Sequence, residues 1–148
     1  MRPVNGLVIN PTKINILASC SEDGYVVIWN LDKFELVQKF LVSNFVKGIS
    51  FLNTHVIRTW GAGNQINDYL ISDGNKYKTF EVHGTLINCL CECFIDSTEE
   101  RLIFYGGDDP FLDYFEKVEQ IMIHRYQSYG EISQMVLSSD KKKLIAGT

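Results

Sequence analysis

Apolar positions along this chain come in short runs rich in Val, Ile, Phe and Tyr, broken every few residues by Gly, Asn, Asp or Ser. Such punctuation marks strands and turns, because branched and aromatic side chains suit a pleated surface and the breakers suit tight turns. Nowhere does an apolar period near 3.6 persist over the ~11 residues that a helix pattern needs. The pattern predicts an all-β chain.

The runs also repeat. Val4, Leu7 and Ile9 form a trio with gaps of three and two, and the same gaps recur at Val46, Ile49, Phe51, at Leu90, Cys93, Ile95 and at Ile132, Met135, Leu137. Successive trios begin 42, 44 and 42 residues apart. A second apolar run follows each: INILAS, HVIRTW, RLIFYG and KLIAGT. Three of these lead through a Gly-containing turn to a third run with an aromatic near its end, at Trp29, Tyr69 and Phe115, and then to a fourth (ELVQKF, YKTFEV, QIMIHR). Four short strands per repeat of this length make the blade of a propeller. The expected fold is a partial, open β-propeller of four-stranded antiparallel blades. Blade 1 covers about 1–41, blade 2 about 45–82, blade 3 about 86–126, and an incomplete blade 4 about 130–148.

The stretch LASCSEDGYVVIWN, residues 17–30, resembles the signature of the WD-repeat family: a Leu-Ala-Ser-Gly-Ser run, an Asp in a tight turn, and a branched strand ending Trp-Asp. Asn30 stands where that family usually has Asp, and Asn10-Pro11 where it commonly has Ser-Pro. The third repeat carries Gly106-Gly107-Asp108-Asp109 in register with the signature turn, and the second keeps the strand pattern with few of the letters. The resemblance implies a network of His, Asp, Ser or Thr and Trp that ties each blade together. Carried over by position, it falls on Ser19, Asp23 and Trp29 in the first repeat, Thr59 in the second, and His83 and Asp109 in the third. Tyr105 and Phe115 replace the hydroxyl and the indole of the third network. These are blade-stabilising positions, not catalytic ones. The resemblance also implies a partner-binding rim built from turns, onto which Tyr25, Phe45, Asn64, Gln65, Asp108, Phe111 and Tyr129 map. Aromatics and Asn or Gln at a rim suit protein contacts, since they combine apolar area with hydrogen bonding.

Composition narrows the choice of partner. The 148 residues are 45% hydrophobic and 22% charged with a net charge of −4, which fits a globular chain and argues against a broad nucleic-acid surface. The basic run Lys141-Lys142-Lys143 follows Asp140 and reads as a solvated turn. No stretch approaches the ~20 apolar residues of a membrane-spanning helix, and the N-terminal MRPVNGLVIN does not read as a secretory signal. Cys20, Cys89, Cys91 and Cys93 are therefore expected to be reduced, intracellular thiols. Cys89, Cys91 and Cys93 near His83 lack the two-to-four-residue separation of structural zinc cysteines and are expected to pack as small core thiols. Gly61-Ala62-Gly63-Asn64-Gln65 lacks the Lys and the strand-to-helix context of a phosphate loop and reads as a hairpin turn. Asp108, Asp109 and Asp113 could be drawn as a carboxylate group, but Asp109 already has a structural place by register and Asp113 falls within a strand. No catalytic site, metal or cofactor is expected.

The function expected from these readings is a non-catalytic scaffold for protein–protein contacts within a multi-subunit intracellular assembly, cytoplasmic (including cytoskeletal or ciliary) or nuclear. One alternative is the substrate-recognition subunit of a ubiquitin-ligase-type complex. Another is a propeller enzyme or small-ligand binder, for which the first strands offer only Lys47, Glu92 and thiols. A seven-bladed ring needs roughly 300 residues, so three and a half repeats do not close one. The remaining blades are expected from a longer form of the same chain or from a second chain, with an open stacked array as a third arrangement.

Overall fold

The computed structural model describes residues 2–95, 100–116, 122–140 and 142–148, which divide into two compact units, Met1–Val82 and His83–Thr148. The first unit holds eight strands: β1 (Val4–Ile9), β2 (Ile16–Ser21), β3 (Tyr25–Asn30), β4 (Glu35–Leu41), β5 (Val46–Phe51), β6 (Val56–Gly61), β7 (Gln65–Leu70) and β8 (Lys76–Glu81). The second holds β9 (Ile87–Ile95), β10 (Glu100–Gly107), β11 (Phe111–Glu116), β12 (Met122–Gln127), β13 (Gln134–Leu137) and β14 (Leu144–Gly147). Sheets form in chain order, β1-β2-β3-β4, β5-β6-β7-β8, β9-β10-β11-β12 and the two-stranded β13-β14. Every pairing is antiparallel. These are the blades of a partial β-propeller.

The repeat extends to irregularities that the apolar pattern does not reveal. Opposite Ile28–Trp29, Asp68–Tyr69 and Tyr114–Phe115, the fourth strand of each complete sheet carries one extra residue: Val37, Tyr77 and Ile123. The first strands are bulged at Asn5, Lys47 and Asn88. A bulge re-aims the strand and raises its twist, so the same bulge at the same place makes sheets of the same shape. The pairing corrects one sequence expectation. Leu7 stands opposite Ser19 and Leu90 opposite Tyr105, so the third trio is Ile87, Leu90, Glu92, three residues earlier than the apolar gaps suggest. The gaps misled because β9 runs to nine residues.

Each sheet has two faces, set by the two-residue period of a strand. In the first sheet, one face carries Val8, Ala18, Cys20, Val26 and Ile28; the other carries Leu7, Leu17, Ser19, Val27 and Trp29. By register, Ile49, Ile57, Thr59 and Tyr69 of the second sheet occupy the places of Leu7, Leu17, Ser19 and Trp29. The core of the first unit joins the Ala18 face of sheet one to this Tyr69 face of sheet two, with Ala18, Val26 and Ile57 fully buried. In the second unit, Phe104 and Leu112 stand where Ala18 and Val26 do, and they pack with Met135 and Leu144, which stand where Leu7 and Leu17 do. One packing rule thus builds both cores.

Candidate protein-interaction rim

Three turns of the first unit gather at one end of its strands. The β2–β3 turn closes at Gly24, whose φ of 81° and whose closeness to the Ser43 carbonyl admit no side chain. Asp23 stands beside it and accepts a 3.1 Å hydrogen bond from the Tyr25 N–H, so it caps its own turn. The Ala62 N–H donates to the Phe45 carbonyl at 3.3 Å, and the Val82 N–H donates to the Asn64 carbonyl at 2.8 Å. The first bond joins the β4–β5 link to the β6–β7 turn, and the second ties the end of β8 to that turn. Asn64 is exposed there, Phe45 is half-buried, and Gln65 donates its Nε2 to Glu81 at 2.7 Å. The ring of Tyr25, the first residue of β3, lies under Lys39 Nζ, 4.1 Å from the centroid, and lines a pocket of about 230 Å³ with Ser19, Trp29 and Lys39.

In the second unit Asp108 is exposed and its carboxylate accepts from the N–H groups of Thr85 and Leu86, at 3.3 and 3.1 Å, and from the Thr85 hydroxyl. Slight burial works against its charge, but the Thr85 hydroxyl and the backbone donors prevail and hold the carboxyl below its usual range. Asp108 therefore pins the β8–β9 link to the β10–β11 turn. Phe111 lies under the Arg125 guanidinium at 4.7 Å, half-buried, while Tyr129 is wholly exposed. Of the expected rim residues, Asn64, Asp108 and Tyr129 are exposed.

The blade network forms in part. Trp29 donates its indole Nε1–H to Ser19 Oγ at 2.9 Å, as the resemblance implies. Thr59 donates weakly to the Asn67 carbonyl at 3.5 Å, and the Asn67 amide oxygen accepts from Thr79 at 2.8 Å. In the third sheet a different chain replaces the network. The His83 N–H donates to Tyr105 Oη at 3.1 Å, Tyr105 donates to Asp113 at 3.1 Å, and Arg125 grips Asp113 through Nε and Nη2, both at 2.7 Å. Burial pushes the Tyr105 hydroxyl above its ordinary value, and the Asp113 hydrogen bond raises Arg125. Tyr105, Asp113 and Arg125 stand opposite one another across three strands, at the places of Ser19, Val27 and Lys39. The imidazole of His83 and the carboxylate of Asp109 are exposed, and the Phe115 side chain lies outside the described residues. A cleft beside Tyr105 and Asp113 holds about 10 Å³, room for about one water and far below the ~300 Å³ of a small-molecule site.

Two features escaped the sequence reading. Arg58, inside the run HVIRTW, forms a buried ion pair with Asp68. Opposite charges at mirrored places in a hairpin were the available signal. Phe34 is 90% exposed with a φ of 52°, a backbone shape that a bulky residue rarely takes; composition gives no sign of it. The three β9 cysteines, two residues apart, share one face of the sheet, opposite Gly106, Phe104 and Leu102; Cys89 and Cys93 are buried and Cys91 is half-buried. Among the described residues no group of three or more His, Cys, Asp and Glu is placed to hold a metal ion, and no helix is long and apolar enough to cross a membrane. Compared with protein-family models and with curated proteins, the chain matches none.

Proposed function

We propose that this chain is an interaction scaffold of the WD-repeat kind, which binds other proteins within a multi-subunit intracellular assembly and catalyses nothing. The observation that carries the reading is the contrast at the turn ends. The turn backbones are pinned by bonds such as Val82 to Asn64 and Leu86 to Asp108, while the side chains of Asn64 and Tyr129 stay open. Pinned turns lower the ordering cost of association, and an exposed tyrosine offers apolar area with a hydroxyl at its tip. The Ser19–Trp29 bond adds the family's own tie to the first blade.

Affinity capture from cells that make the protein tests this reading. The chain and an Asn64→Ala/Tyr129→Ala variant are compared by quantitative mass spectrometry. Both positions are exposed, so folding is spared. Loss of a discrete set of partners from the variant is expected. Capture of the same set at the same level by both proteins would contradict the rim assignment.

A further inference from the structure

A cleft of about 200 Å³ opens where sheets one and two meet, at the end of the strands away from the rim turns. Its walls are apolar: Ile16 and Ile28 from the first sheet, Ile71 from the β7–β8 turn, and Val37, the extra residue of the β4 bulge, 51% exposed. Lys13 on the β1–β2 turn and His55 on the β5–β6 turn also line it, and both are exposed. Among the described residues no Asp or Glu lines the cleft, and neither Lys13 nor His55 has an ion-pair partner. The acidic residues on the adjoining turns, Asp32 and Asp73, are taken up by the amides of Asn15 and Asn75, at 2.8 Å each. The turns themselves are fixed. Asn10, 1% exposed, accepts from the N–H groups of Thr12 and Lys13 at 3.0 Å, and its amide donates to the Thr54 carbonyl at 3.4 Å. The His55 N–H donates to Asn53 Oδ1 at 2.8 Å, and the His55 carbonyl accepts from the Ile71 N–H at 2.9 Å. Lys13 and His55 thus project from backbone that is already ordered, which lowers the cost of binding.

We infer that this cleft receives one large apolar side chain from a segment of a partner protein, with Asp or Glu flanking it to meet Lys13 and His55. The size fits a side chain: about 200 Å³ falls below the ~300 Å³ of a site that encloses a whole small molecule. A Lys ammonium and a His ring N–H both donate to a carboxylate. With no acidic group in the lining, Lys13 has no counter-charge there, so an acidic segment is favoured and a basic one repelled. The walls contribute affinity and the two polar residues at the mouth contribute selectivity. The inference goes beyond the rim reading and does not rest on it, since the rim turns lie at the other end of the strands.

Fluorescence anisotropy on the full chain tests it with three labelled peptides. The first is Glu-Asp-Phe-Glu-Asp in a Gly-Ser frame, the second has Lys in place of each acid, and the third has Ala in place of Phe. The first is expected to bind about tenfold tighter than either of the others. Lys13→Glu/His55→Glu is expected to weaken that binding about tenfold, and Val37→Asp to weaken it as well. All three positions are exposed, so a thermal melt should show both variants folded. The Asn64→Ala/Tyr129→Ala variant is expected to bind the first peptide as the unaltered chain does, which separates this site from the rim. No binding of the first peptide would overturn the inference. So would equal binding of the Lys or Ala peptide, unchanged binding by Lys13→Glu/His55→Glu, or loss of binding in the rim variant.

Discussion

Arg58 on β6 and Asp68 on β7 stand directly opposite each other, joined by Nε to Oδ1 at 2.7 Å and Nη2 to Oδ2 at 2.8 Å, with side chains 0% and 1% exposed. The guanidinium also lies 4.9 Å from the centre of the Phe80 ring. In the first sheet the same two places hold Ala18 and Ile28. A forked pair out of water gains from its geometry what it loses by desolvation, and removing one partner strands the other. Arg58→Met is therefore expected to cost about 3–5 kcal/mol by chemical denaturation. Arg58→Ala/Asp68→Ile, which copies the first sheet, should recover most of that loss. A double variant as unstable as the single one would show that the two places are not equivalent.

Tyr105→Phe removes a hydroxyl that accepts from His83 and donates to Asp113. Both partners then lose a bond in a largely buried setting, so a loss of about 1–3 kcal/mol is expected. Urea melts of the variant and the parent measure it. No loss at all would mean that water replaces the hydroxyl without cost.

Most of the strand order was legible in the sequence because it follows from a period of two and from turn residues, both local signals. Ser19 and Trp29 were legible for the same reason: a fixed spacing within one hairpin carries them. The third trio was misplaced because Cys93 and Ile95 continue the apolar pattern beyond the place where the register ends the repeat. Arg58 was passed over as part of an apolar run, since its place in the core depends on Asp68 across the ladder and on Phe80 one strand further. Cross-strand partners decide such cases, and apolar gaps do not report them.

Phe34 holds a left-handed backbone at a position 90% exposed, so its ring gains little from burial to offset the strain. Phe34→Gly is expected to raise stability by about 0.5–1 kcal/mol, the relief of strain exceeding the added freedom of the unfolded chain. Thermal melting at fixed concentration reads the change. A fall in stability would mean that the ring makes a contact worth more than the strain.

Burial pushes the Cys20 thiol up to about 12 and the Cys89 thiol up to about 11, from an ordinary 9.0. A thiol whose value is raised on folding stays protonated in the fold after the unfolded chain has ionised. Its contribution to stability is full below 9.0 and declines as pH rises toward 11 for Cys89 and 12 for Cys20. At about pH 8 both thiols are expected to resist a disulfide exchange reagent until the chain unfolds, since the thiolate is the nucleophile. Labelling followed by peptide mapping checks this, and rapid modification of Cys20 in the folded chain would contradict its burial.

One blade plan recurs along the chain, and the same packing of sheet on sheet builds the core of each unit. Amide hydrogen exchange read by mass spectrometry tests it most directly. The account expects slow exchange in β2 and β3, in β6 and β7, and in β10 and β11, the central strands of the three complete sheets, with fast exchange in the turns between them. Fast exchange through the central strands of any one of these sheets would contradict it.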